Sequence, residues 1–263
     1  MKRTILSGLA IAALLIGGGA AFAADLAVKS APPPAPVPVN SWTGFYFDVA
    51  AGWQRNSYNW NTDFPGGPFT SSWSSSQTDG SLAGHIGYQQ QFGWVVAGLE
   101  IGALRGWNNN FNTGAVSAVA GTPTPCGFAG AGLACQNALD SVSTFGGKLG
   151  VAWNDWLIYG VGGRAFNANL KSRLVTPAGL NFDQWAPQST TGWYAGGGFD
   201  YMLLKTRLID LIGGVEYEHI NLGSIEQFAQ NQGFAPGTFQ HSTSAKVDAV
   251  WGKLTVKWNP LGN

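Results

Sequence analysis

Nine ionisable residues lie in segments where polar and large apolar residues alternate. We interpret each segment as a strand with one polar and one apolar face, and all nine residues fall on the polar face. Five are carboxylates, three are Lys or Arg, and one is His, so the set can form a network of ion pairs. Rings of such charges can also line a path for ions. The nine residues are Asp48, His85, Glu100, Lys148, Arg164, Asp200, Glu216, Glu218 and Lys253.

Acid–base catalysis is the alternative use of such groups. The chain has three histidines, His85, His219 and His241. A hydrolase needs one of them beside a nucleophile and an acid. Ser242 follows His241, but serine is so abundant in this chain that the pairing carries almost no information. We therefore predict no catalytic residue and no cofactor, and we expect that the protein is not an enzyme.

The only two cysteines, Cys126 and Cys135, lie in a stretch rich in Gly, Ala and Pro. In an exported chain, two cysteines this close favour one local disulfide, because the compartment is oxidising. Zinc prefers four ligands, and no His or third Cys lies nearby. The sequence therefore predicts a disulfide in a loop and no metal site.

The composition is unusual for a protein whose surface faces water. Charged residues make up 11% of the chain and aromatic residues 13%, with 12 Trp and 38 Gly. A soluble surface usually has about 25–35% charged residues and a net charge away from zero, whereas 14 basic residues here balance 14 acidic ones. The balance also argues against a nucleic-acid partner, which requires clustered Lys and Arg. The composition favours an exterior that faces lipid.

The first 40 residues predict export. Lys2 and Arg3 precede an apolar run, and small residues follow it up to Ala23, which is the pattern of a cleaved signal peptide over residues 1–23. The run is shorter than the roughly 20 apolar residues of a spanning helix. Residues 24–40 are rich in proline, which cannot donate to a sheet, so we expect an extended periplasmic leader there.

Eight later segments alternate with period two, and each reaches the ~9–11 residues that a tilted strand needs to cross a bilayer. The gaps between them alternate between short and long, as in an outer-membrane barrel with short periplasmic turns and long extracellular loops. Residues 41–263 therefore predict an all-β, eight-stranded antiparallel barrel in a Gram-negative outer membrane; a soluble lipocalin-like barrel is disfavoured by the low charge. The predicted strands are 42–53, 78–90, 94–107, 141–153, 156–167, 190–203, 208–222 and 244–258, and the predicted loops are 54–77, 108–140, 168–189 and 223–243.

Aromatic residues mark both ends of the predicted strands. Outer-membrane barrels carry girdles of aromatic side chains at the two membrane–water interfaces. Here the two sets are about eight residues apart along a strand, which corresponds to roughly 20 Å of height. The predicted girdle residues are Trp53, Trp107, Trp193 and Tyr217 on the loop side, and Phe45, Tyr88, Trp153, Tyr201 and Trp258 on the turn side.

The segment Ser41-Trp42-Thr43-Gly44-Phe45-Tyr46, placed after a signal peptide and a proline-rich leader, resembles the start of the first strand in alphaproteobacterial porin-family surface antigens. These are small relatives of OmpA- and OmpX-type barrels, and the resemblance covers nearly the whole mature length. It implies a surface-exposed cell-envelope protein in contact with outer-membrane lipid and lipopolysaccharide. It also implies insertion by the barrel-assembly machinery, with Trp258 as the candidate for the aromatic residue near the C terminus that this machinery reads.

The number of strands limits the possible functions. Eight strands enclose only enough space for side chains, whereas an open channel needs about 16 to 18. We therefore predict a polar, plugged lumen and a structural or interaction role, with a small porin-like channel and an outer-membrane hydrolase as the alternatives. The long loops contain many aromatic residues, which either pack on one another or bind a surface ligand.

Overall fold

The computed structural model of the protein describes residues 41–63, 70–107, 134–175, 178, 180–228 and 240–259. The predicted signal peptide and leader lie outside these residues. Cys126 does so too, and the side chain of Cys135 is not described, so the predicted disulfide lies outside the description. In the described part, no helix is both long and apolar enough to cross a membrane.

Within the described residues, nine antiparallel strands form one closed sheet. Consecutive strands pair except at β4, since β3 pairs with β5 and β4 with β6, and β1 pairs with β9, so that Phe45 lies opposite Trp258 and the ring closes. The strands are β1 Gly44–Asp63, β2 Thr70–Phe92, β3 Val95–Gly106, β4 Ala134–Leu139, β5 Ser141–Trp153, β6 Trp156–Val175, β7 Asn181–Lys205, β8 Ile209–Phe228 and β9 Gln240–Trp258.

The ring nevertheless has eight positions, because β4 and β5 share one of them. Both pair with β6, β4 through Leu139 opposite Leu170 and β5 through Ser143 opposite Phe166. They are separated only by Asp140, which interrupts what is otherwise one continuous strand position. The predicted eight-stranded antiparallel barrel is thus confirmed, with its fourth position divided in two.

The short connections follow the prediction, and the long ones do not. Gly93, with a positive φ of 63°, and Asn154, with a φ of 55°, occupy the tight turns that follow β2 and β5. The predicted loop 54–77, however, is largely strand, since β1 and β2 stay in register up to Asp63 opposite Thr70. With 20 residues in β1 and 25 in β7, the strands extend beyond the bilayer on the extracellular side.

The outer surface of the barrel is apolar in a band between the two predicted girdles. All nine predicted girdle residues are exposed, from 36% for Tyr201 to 73% for Trp153. Between them Phe47, Leu99 and Ile101 also point outward and are at least half exposed. These side chains would face lipid, which is the arrangement that membrane-spanning barrels require.

The interior is layered along the barrel axis. On β3 the buried residues from the periplasmic end upward are Val96, Glu100 and Leu104, so a charged residue lies between two apolar ones. Strand β8 repeats this order. The lower apolar layer consists of Trp42, Val96, Leu157, Met202 and Ile212, and the upper apolar layer of Tyr58, Trp60, Leu104, Leu139, Val142, Leu170, Ile220, Leu222 and Val247. The upper layer also contains buried amides and hydroxyls, namely Gln54, Asn56, Asn137, Ser172 and Thr243.

Candidate functional site

Eight of the nine predicted lumen charges are buried inside the barrel between the two apolar layers. None of the eight is more than 7% exposed. We call this group the lumen charge cluster; its members are Asp48, His85, Glu100, Lys148, Asp200, Glu216, Glu218 and Lys253.

The prediction for Arg164 is wrong, because this residue is exposed on the outer face of β6. Leu157, Tyr159, Val161 and Ala165 are buried in this part of the strand, so Arg164 has the opposite parity. The buried parity of β6 changes only beyond Arg164, at the register shift between Ala165 and Ala168. The run of glycines around Val161 carries no side chains that mark the two faces. Arg164 lies opposite Trp193 of the loop-side girdle, near the interface, where an outward charge costs only about 0–1 kcal/mol.

Two lysines hold one half of the lumen charge cluster together. Lys253 Nζ lies 2.8 Å from Glu216 Oε2 and 3.3 Å from Asp200 Oδ1, and Lys148 Nζ lies 3.4 Å from Asp200 Oδ2. Both ammonium groups also lie over the ring of Tyr159, at 3.8 Å and 4.6 Å from its centroid. The Tyr159 hydroxyl donates to Glu216 Oε2 at 2.6 Å. These contacts tie β5, β6, β7, β8 and β9 together across the lumen.

His85 and Asp48 form the other half of the cluster. Asp48 Oδ1 accepts hydrogen bonds from the backbone N–H of His85 at 3.2 Å and from its ring Nδ1 at 2.8 Å. Because a carboxylate can only accept, Nδ1 carries a hydrogen, and Nε2 faces Glu218 Oε1 at 3.9 Å. Asp48 is thus paired with a residue of the neighbouring strand and not with either lysine of the cluster.

Carboxylates outnumber cations in the cluster. With Arg164 outside, five buried carboxylates face two lysines and one histidine. Tyr46 donates its hydroxyl to Glu100 Oε2 at 2.8 Å. In the described part of the chain, however, Glu100 Oε1, Glu216 Oε1 and both oxygens of Glu218 have no hydrogen-bond partner. The cluster therefore has room for further positive charge.

Glycines make room for the two phenols of the cluster. A Cβ at Gly87 would lie 2.5 Å from the Tyr46 ring, and one at Gly198 would lie 2.6 Å from the Tyr159 hydroxyl. Since real Cβ atoms are not found this close to other heavy atoms, both positions require glycine for the tyrosines to reach their carboxylates.

A second buried ion pair, at the periplasmic end, escaped the sequence analysis. Lys257 Nζ lies 3.0 Å from Asp210 Oδ2 and donates to Asn259 Oδ1 at 2.8 Å. Beside it, Trp42 is fully buried below the start of β1, where Gln89 donates to its carbonyl oxygen at 2.7 Å. The signal was present, since Lys257 has the same parity as Lys253 on β9.

Of the two remaining histidines, His219 lies outside the lumen charge cluster, and the side chain of His241 is not described. His219 Nδ1 donates to Asp248 Oδ1 at 2.7 Å on the outer rim, and Tyr217 donates to the same oxygen at 2.7 Å. Partial burial alone would raise the pKa of Asp248, but these two hydrogen bonds, together with the positive charges of His219 and Arg55, outweigh it and lower that pKa.

Two aromatic residues from a predicted loop lie inside the barrel. Tyr58 and Trp60 are each 2% exposed and belong to the extracellular part of β1. Burial raises the pKa of Tyr58. These residues pack in the upper apolar layer, so their placement in the predicted loop 54–77 is wrong.

The chain is similar to known outer-membrane proteins. No protein-family model matches it. It is 28% identical over 218 residues to the 31 kDa outer-membrane immunogenic protein of Brucella melitensis, covering 77% of this chain and 81% of that protein, and the protein of the same name from Brucella suis gives the same values.

Among solved structures, OprG from Pseudomonas aeruginosa is 10% identical, with a TM-score of 0.43, over 81% of this chain and 96% of OprG. The protease OmpT from Escherichia coli is 9% identical, with a TM-score of 0.40, over 82% and 97%. At these TM-scores neither likeness bears on the function of this chain. The names of the Brucella relatives are not those of enzymes. They agree with the resemblance to surface antigens in the opening strand, and the protein is an outer-membrane β-barrel protein that is similar to the Brucella 31 kDa immunogenic protein.

Proposed function

We propose that this protein is a non-conducting, non-enzymatic component of the cell surface, with a structural or interaction role. The observation that carries the proposal is the filled, layered lumen, in which the buried charges are enclosed on both sides by buried side chains, most of them apolar. A continuous water column would have to pass all three layers.

The upper apolar layer is the main obstacle to solutes. Hydrophobic constrictions exclude water and block ions, and eight strand positions leave room only for side chains. Below this layer Trp251 is fully buried, and its Nε1 donates to Ser81 Oγ at 2.8 Å, which fixes the indole across the lumen. These contacts favour a closed barrel over the porin-like alternative.

The extracellular strand extensions support an interaction role. Their ends lie above the bilayer, where a surface ligand could be met. The similar Brucella protein is named an outer-membrane immunogenic protein, and we propose that this chain is exposed at the cell surface. Insertion by the barrel-assembly machinery is part of the same proposal.

Outward basic residues near the loop-side girdle fit contact with lipopolysaccharide. Arg164, Arg55 and Lys246 are exposed on the outer surface at or above the level of Trp53 and Trp193. Arginine binds phosphate through charge-assisted hydrogen bonds. We propose that these residues contact phosphate groups of the outer leaflet.

Reconstitution of the purified barrel in planar bilayers tests the closed lumen. We expect no stable unitary conductance from the unmodified protein. The same result is expected for Lys148→Ala, because the upper apolar layer remains in place when this charge is removed. Large, long-lived current steps from the unmodified protein would overturn the proposal and support the channel alternative.

A further inference from the structure

We propose that His85, Glu216 and Glu218 form a buried site for one divalent transition-metal ion, with zinc as the best match to the ligand types. The three residues each offer one ligand atom, and these atoms lie within 4.8 Å of one another. The site goes beyond the proposed function, since a surface barrel of this kind does not require a metal.

The site spans the lumen. His85 is on β2 and the two glutamates are on β8, with β1 and β9 between them in the ring. Nitrogen and oxygen ligands lie about 2.0–2.2 Å from zinc, so tetrahedral neighbours are about 3.3–3.6 Å apart. His85 Nε2 and Glu218 Oε1 are 3.9 Å apart, and all three ligand atoms lie within 4.8 Å of one another, so the side chains must move together by about 1 Å to close around an ion.

The two glutamates present unused lone pairs to this space. Glu218 is 0% exposed, and neither of its carboxylate oxygens has a hydrogen-bond partner within the described residues. Glu216 uses Oε2 for Lys253 and Tyr159, while its Oε1 also lacks a partner there. A buried carboxylate without a partner is costly. A cation between these oxygens and His85 removes that cost.

His85 is held in the form that binds a metal. Its Nδ1–H donates to Asp48, so the lone pair of a neutral imidazole is on Nε2, the atom that faces Glu218. Metal-binding histidines commonly donate their second nitrogen to a carboxylate in this way, which orients the ring and increases its basicity. Asp48 therefore acts as a positioning residue for the site.

Charge and ligand type both favour a transition metal. With His85 neutral, the five carboxylates and two lysines of the lumen charge cluster have a formal charge of −3, which a divalent ion reduces to −1. Imidazole together with carboxylate suits zinc and its neighbours, whereas calcium and magnesium prefer oxygen ligands alone. Because both apolar layers enclose the site, the ion must enter while the barrel folds or opens transiently.

Metal content measures the site directly. The full chain is refolded in detergent with excess zinc, freed of unbound ion, and analysed by mass spectrometry of the element. We expect about one zinc per folded barrel. Refolding of the unmodified protein with cobalt provides a second readout. The bound cobalt should show the visible absorption of a four-coordinate ion.

Variants locate the ion. Glu218→Gln should abolish binding, and Asp48→Asn should weaken it by about 10–100-fold through the orientation of His85. Glu100→Gln is the matched control, since Glu100 is another buried lumen carboxylate with an unpartnered oxygen but is not one of the three ligands; it should retain the zinc. Each variant is shown to be folded if its unboiled sample runs faster on a detergent gel than its boiled sample.

Two results contradict the proposal. The first is a folded, unmodified barrel that retains neither zinc nor cobalt, which would mean that a proton shared by Glu216 and Glu218 fills the space. The second is equal metal content in the unmodified protein and in folded Glu218→Gln or, should that variant not fold, in His85→Gln.

Discussion

The membrane-spanning part of the barrel and its extracellular extension have opposite polarity, although β1 runs through both without a change of parity. On β1, Phe47 and Val49 point outward and Asp48 inward within the membrane. Above Trp53 the outward residues include Arg55, and the inward ones include Tyr58.

Strands β8 and β9 invert in the same way. On β8 the buried residues change from Glu216 and Glu218 to Ile220, and on β9 from Lys253 to Val247. The cause is the external medium, since apolar side chains move to the inside once water replaces lipid on the outside. The lower region is therefore held mainly by directed ion pairs and the upper one mainly by apolar packing, and the two should respond differently to substitution.

The largest effect should come from Lys253→Met. This change leaves Asp200 and Glu216 without the ammonium group that lies within 3.3 Å of both. Breaking a buried ion pair from one side typically costs about 3–5 kcal/mol. We expect a loss of that size in the free energy of unfolding, measured by urea titration of the barrel in lipid vesicles.

Lys246→Met is the matched control for this variant, because Lys246 is an exposed lysine on the same strand. It should change the free energy of unfolding by no more than about 0.5 kcal/mol. Similar losses in the two variants would show that burial of the charge is not what makes Lys253 important.

The polarity inversion also explains what could be predicted from the sequence. Period-two alternation with an apolar outer face identified the membrane-spanning strands, their short turns and eight lumen charges. Above the girdle the alternation continues, but Tyr58 and Trp60 are on the face that carries Asp48 below. A search for apolar outward faces therefore misses these extensions and assigns them to loops.

Within the candidate site, predictions from the alternation of faces along a strand were limited in two ways. The alternation failed for Arg164, where neighbouring glycines leave the faces of β6 unmarked. It placed Glu216 and Glu218 on one face, but it could not bring His85 to them. That contact depends on the tilt of the strands around the ring, which depends on the register and not on the residues of one strand.

Ile220→Ala should have a smaller effect than Lys253→Met and tests the upper apolar layer. Ile220 is 0% exposed, and replacing a buried Ile by Ala costs about 2–5 kcal/mol, depending on how far the surroundings relax. We expect a value in the lower half of this range, since the extracellular end of a strand can adjust more than the closed centre.

The control is Ile158→Ala, since Ile158 is 66% exposed on the lipid-facing surface. Its truncation leaves no internal cavity, so its cost in the same urea titration should be clearly smaller than that of Ile220→Ala. The reverse order would contradict the assignment of the upper layer as a packed core.

The smallest effect should come from Asp248→Asn at the boundary between the two regions. Asp248 accepts hydrogen bonds from His219 and Tyr217, but its side chain is 39% exposed, so water and salt screen these contacts and limit their contribution to about 0.2–1 kcal/mol. The lowered pKa of Asp248 sets the direction of the pH dependence. The stabilisation is present above the unfolded-state pKa of about 3.9 and is lost as the pH falls through the lower folded-state pKa. Urea titrations should therefore separate the variant from the unmodified protein at neutral pH and bring the two together in strong acid. A loss as large as that of Lys253→Met would mean that rim charges are as strongly coupled as lumen charges, and the contrast between the two regions would fail.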